Sequence, residues 1–139
     1  MIAISTIPAR GSESIWTHNG STLRWVSSGQ DRWLYYLEPR PGLAAIGVEP
    51  DTLLFQGQRI GNRLVGTAYV FSENCPPTPY PVEGIIYLET DVRLDGAVPV
   101  VDPYSCDVVD YVWDSHNASL RFHYVMTINR APVVARGRR

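Results

Sequence analysis

Two cysteines are the side chains here whose chemistry would by itself define a function class. Cys75 ends the run GNRLVGTAYVFSENC (61–75), and Cys106 follows 31 positions later, after DPYS. A nucleophilic cysteine needs a base and an orienting partner. The three histidines, His18, His116 and His123, carry no local signature with either thiol. A zinc site asks for Cys and His clustered at short spacings, and this pair stands unaccompanied. A staple asks less, only that two loop ends meet. Both cysteines fall at strand–loop boundaries beside proline segments, CPP and DPYSC. Closing a loop of that size stabilises a fold by about 3–4 kcal/mol in the chain-entropy model. A Cys75–Cys106 disulfide is therefore the expected state, with two buried thiols as the alternative. It implies an oxidising compartment, periplasmic or secreted.

Other chemistry is thinner. Asp102, Asp107, Asp110 and Asp114 gather late in the chain. Calcium would use such oxygens, but their spacing matches no loop motif, so a solvated rim is expected. A glycosidase-type carboxylate pair is defined by its separation in space, which spacing in the chain does not give. Aromatics are richer. RWLYYLE (32–38) carries them on both faces. Most should fill a core or pair across strands. The sharper reading makes some of Trp33, Tyr35 and Tyr36 a ligand or partner platform with Arg24 or Arg32. PRPGL (39–43) is a preformed loop that would hold Arg40 outward between two prolines.

The elements that must position these groups read as strands. Ser14–His18 meets TLRWVS (22–27) through Asn19-Gly20, a strong hairpin dipeptide. SGQD turns into RWLYYLE. TLLFQGQ (52–58) pairs with RLVGTAYVFS (63–72) through Gly61-Asn62. Gly66 and Ala68 mark a close approach or a bend. CPPTPYP (75–81) is expected to be an extended loop, because proline supplies no ladder donor. GIIYLET (84–90) and DVRLDG (91–96) make another pair. VVDYVW (108–113) and LRFHYVM (120–126) are expected to form the last hairpin, with Leu120, Phe122, Tyr124 and Met126 as its apolar face. GLAAIGVE (42–49) allows a helical turn or two. Eight or nine ribbons at this spacing predict an all-β fold, a small antiparallel barrel of about eight strands. A two-sheet β-sandwich leaves the same pattern.

The 139 residues suit one domain: an N-terminal arm (1–13), a β-domain (14–128) and an Arg-rich tail (129–139). Hydrophobic content of 45% and charged content of 19% exclude a disordered chain. A net charge of −2 argues against a nucleic-acid partner, and no apolar run is long enough to span a bilayer. MIAISTIPARG lacks a basic n-region before its apolar patch. Either the chain starts after a removed signal or the protein is cytoplasmic. In the tail, Arg130, Arg136, Arg138 and Arg139 are expected to be a disordered, solvated end, with contact to an anionic lipid or polymer as the alternative.

A series of short motifs carries a resemblance: HNGS (18–21), PRPGL (39–43), TLLFQG (52–57), GTAYVFSENC (66–75), YPVEG (80–84), LDGAVPVVD (94–102) and Cys106. From about Trp16 to Cys106 the chain resembles a small bacterial β-domain that occurs alone in short secreted-type proteins. The same domain resembles the segment trailing the peptidase part of some bacterial caspase-like proteins. The resemblance implies an accessory module. The peptidase half and its His-Gly and Cys-Gly neighbourhoods are absent, since Cys75 precedes Pro-Pro and Cys106 precedes Asp.

The expectation is a non-enzymatic, exported binding module without a cofactor, contacting a protein or an envelope polymer. Its alternatives are a small-ligand carrier with a pocket inside the barrel and a hydrolase at a barrel mouth. A carrier requires a hollow interior. A hydrolase requires a cleft where a histidine meets an acid or a cysteine.

Overall fold

The computed structural model describes residues 11–128. The Arg-rich tail and all but the end of the N-terminal arm lie outside them. Ten strands form: β1 (Ser12–His18), β2 (Ser21–Ser28), β3 (Asp31–Glu38), β4 (Leu53–Ile60), β5 (Arg63–Ser72), β6 (Cys75–Tyr87), β7 (Asp91–Asp95), β8 (Val98–Val101), β9 (Val108–Val112) and β10 (Ser119–Ile128). Eight close into an antiparallel barrel in the order β1-β10-β7-β6-β5-β4-β3-β2. The chain meanders from β1 to β7, leaves the wall as a separate β8–β9 hairpin, and returns as β10 to close the seam between β7 and β1.

The turns work as their residues dictate. Asn19 and Gly20 both take left-handed angles, φ 47° and 85°, as a two-residue hairpin requires. Period-two alternation sends Leu23, Leu34, Phe55, Leu64 and Leu94 inward, where each is at most 1% exposed. Burying such a side chain contributes about 1.5–3 kcal/mol. The interior is filled, not hollow. At its centre the Phe55 ring lies across the facing pair Gly57 and Gly66. A Cβ on Gly66 would sit 2.2 Å from the Gln56 carbonyl oxygen and 2.9 Å from Phe55 Cζ. The close approach read from GTA is therefore real: the β4 backbone at Gln56 and Gly57 lies nearest, and the Phe55 ring adds to the crowding.

Three expectations are corrected. CPPTPYP is not a loop but the first half of β6, paired among the described residues only with β5 up to Val82; pairing with β7 begins at Glu83. Its prolines are tolerated because that half is an edge, with one side free of ladder partners. VVDYVW does not pair with LRFHYVM. It pairs as β9 with β8, a short Pro-containing strand that carries little strand signal, while β10 takes β7 and β1. Met126 leaves the apolar face, being 54% exposed, because Val125 is an extra residue where Ile15 faces Met126 and Trp16 faces Tyr124. GLAAIGVE contributes one 3-10 turn, Leu43–Ile46.

Candidate functional site

Cys75 and Cys106 are disulfide-bonded, with Cα atoms 5.5 Å apart. The bond ties the β5–β6 turn to the loop of the β8–β9 hairpin. That loop is internally ordered: the Asp102 carboxylate accepts from the N–H groups of Tyr104 at 2.8 Å and Ser105 at 3.0 Å. These bonds hold its pKa below the usual carboxylate range. A bonded sulfur is no nucleophile, and neither cysteine is a free thiol.

The six residues expected to contact a ligand or partner are dispersed over three surfaces. Arg24, Trp33 and Tyr35 do share the outer wall. The Arg24 guanidinium lies 4.8 Å from the Tyr35 ring centroid, between Glu13 at 3.6 Å and Asp51 at 3.8 Å. Trp33 sits half-buried between Val26 and Gln56. This cluster satisfies its own charges. Tyr36 does not join it: alternation turns it inward, where it is buried. Arg40 does not project outward either. Its backbone N–H donates to Ser21 Oγ at 2.8 Å, and its half-buried side chain lies over Gly20. Arg32 faces the opposite end of the barrel.

The mouth beside PRPGL gathers Tyr36, Arg40, His18 and His116. His18 Nδ1–H donates to the Arg121 carbonyl at 2.8 Å, leaving Nε2 as acceptor, and the ring stacks on Phe122 at 4.6 Å. Burial is the main force lowering the His18 pKa, with Arg40 and His116 adding to it against the Arg121 bond. Burial pushes Tyr80 up to about 12; its hydroxyl donates to the Asn117 carbonyl at 2.7 Å. Leu43, Ile46 and Phe71 crowd this mouth to about 80 Å³, room for two or three waters.

The mouth where β1 begins and β10 ends is wider, about 460 Å³. Trp16 and Trp25 stack at 4.6 Å to make its floor, and Tyr124 meets Trp16 edge-on at 5.6 Å. Their indole N–H groups are held by Ser14 at 2.8 Å and Ser27 at 3.1 Å. Arg59 grips Glu89 with two bonds of 2.8 Å. Leu88 and Glu89 both take left-handed angles in the turn that presents this acid, φ 52° and 63°. Such residues cost about 1–2 kcal/mol each there, a strain that the Arg59 contacts help hold. Neither Arg59 nor Glu89 figures among the expected site residues. The run Phe55, Gly57, Arg59 carried the signal, because period two aims all three inward.

His123 meets Asp91 at 2.9 Å on the open outer wall, where the imidazole and Thr90 bonds lower the Asp91 pKa. The pair lines neither of these two mouths. Among the described residues, no group of three or more His, Cys, Asp or Glu is placed to hold a metal ion. No helix among them is long and apolar enough to cross a membrane.

The hairpin is the other surface that residue types alone did not single out. Among the described residues, β9 pairs only with β8. Val112 turns toward the core, while Val109, Tyr111 and Trp113 turn outward with exposures of 63%, 55% and 67%. No protein-family model, curated protein or solved structure matches this chain.

Proposed function

We propose that this protein is a non-catalytic, exported interaction module that receives a partner protein along the outer edge of its β8–β9 hairpin. One observation carries the reading: an edge strand and the residue that follows it hold three large apolar side chains in the open, whereas an edge segment of the barrel, the first half of β6, is guarded by prolines. Proteins guard such edges with charge, proline or cover. Here β9 carries a single acid, Asp110, whose carboxylate accepts from the neighbouring Tyr111 N–H at 2.8 Å. A partner strand adding to β9 would gain backbone hydrogen bonds and bury the Val109–Tyr111–Trp113 row, the mode by which extended segments join sheet edges.

The disulfide supports an oxidising compartment, since such bonds persist outside the reducing cytosol. An accessory role agrees with the small bacterial β-domain that the chain resembles. The filled interior weighs against a carrier with its ligand inside the barrel. The test is capture from an envelope fraction by the oxidised chain, followed by cross-linking from β9. A specific protein should be retained and cross-link within Val108–Trp113. Tyr111→Ser with Trp113→Ser should release it. Capture unaffected by that double variant would overturn the reading. So would self-association in analytical ultracentrifugation that the double variant abolishes, since the edge would then serve a second copy of the chain.

A further inference from the structure

The wider mouth lies at the other end of the barrel from the hairpin, and its charges do not balance. Two guanidiniums, Arg32 and Arg59, line it with one carboxylate, Glu89. Glu89 is fully engaged by Arg59, which also donates to the Gly61 carbonyl at 2.7 Å. Arg32 has no ion-pair partner among the described residues. Its Nη1 donates to the carbonyls of Gly29 and Asp31, both at 2.7 Å. That spends one corner of the guanidinium and leaves the Nε–Nη2 edge without a protein acceptor among the described residues. This edge is the planar fork that matches a carboxylate with two parallel hydrogen bonds. Partial burial and then Arg59 work against the Arg32 charge, while Asp31 and Glu89 favour it, and the balance lowers its pKa.

The rest of the recess describes the body of the ligand. Its floor is aromatic, suited to the C–H face of a ring. The hydroxyls of Ser14 and Ser27 accept from the two indoles, which leaves each O–H free to donate. A recess of about 460 Å³ falls within the size range of small-molecule sites. The net charge of one favours a monoanion over a phosphate dianion. We propose that this mouth binds a hydroxylated ring carrying one carboxylate, the chemistry of a uronic acid, either free or at the end of an acidic polysaccharide.

The test titrates the oxidised full chain with glucuronate, galacturonate as the monomer, glucose, inorganic phosphate and an oligogalacturonate. Tryptophan fluorescence and the indole N–H resonances of Trp16 and Trp25 provide the readout. Glucuronate should bind saturably and glucose at least about tenfold more weakly, the loss of a charge-assisted pair. Arg32→Gln should weaken glucuronate by about tenfold or more, and Arg121→Gln, on the outer wall, should leave it unchanged. Glu89→Gln should tighten it, because the recess then holds two uncompensated cations. That gain keeps the test decisive should the Arg32 variant fold poorly. Oligogalacturonate binding more tightly than the monomer assigns the site to polymer ends; equal affinity assigns it to the free acid. The proposal is overturned by glucose binding as well as glucuronate, by phosphate binding better, by an indifferent Arg32 variant, by a weakened Glu89 variant, or by no saturable change with any probe.

Discussion

The barrel wall and the β8–β9 hairpin are built from similar valines and aromatics, yet they hold together by different means. In the wall, every strand has a ladder partner on both sides over at least part of its length, and inward side chains meet across a filled interior. The hairpin has one ladder, a few inward contacts through Val98 and Val112, and a covalent tether. Closure makes a sheet self-sufficient, whereas an excursion needs a clamp or a partner.

The largest effect should come from emptying the wall. Phe55→Ala removes the ring that covers Gly57 and Gly66 and should cost about 3–5 kcal/mol, read as a shifted midpoint in urea at unchanged slope. Loss below about 1 kcal/mol would mean that the interior collapses freely. Next is the clamp. Cys75→Ser with Cys106→Ser should cost about 3–4 kcal/mol in the chain-entropy model. Amide exchange should accelerate in β8 and β9 while the β2–β5 wall stays protected. Equal acceleration everywhere would erase the contrast between the two regions.

Gly66→Ala should follow, at about 1–3 kcal/mol for overpacking. Pairing it with Phe55→Leu should recover part of that, because the ring is one of the atoms in the way. A fourth effect concerns pH. The folded state holds the His18 pKa below 6.5, while the unfolded chain takes up a proton near 6.5. Stability should therefore be full above that value and fall as pH drops below about 6.5, with a slope of at most about 1.4 kcal/mol per pH unit. His18→Gln should flatten this limb, and a slope that survives it assigns the effect elsewhere. The smallest effect belongs to the hairpin edge. Trp113→Ser should change stability by no more than about 0.5 kcal/mol. A large loss would make that face structural and remove the case for a partner there.

The sequence by itself determined the class of object. Alternation in RWLYYLE and RLVGTAYVFS, the Asn19-Gly20 turn and the spacing of ribbons are local properties, so they read directly as an all-β chain of about eight wall strands. The disulfide was legible because two cysteines without chemical company leave few other uses. Which strand pairs with which was decided only in three dimensions: VVDYVW has the composition of a wall strand, and nothing local says that four residues around Pro99 claim it instead. The sites depended on that folding still more. Arg32 and Tyr36 stand four apart in one strand, yet they face opposite mouths, because a strand carries its residues about 3.3 Å apiece along the barrel. Arg32 and Glu89, far apart in the chain, share a recess because closure brings the ends of β3, β4 and β6 around one opening.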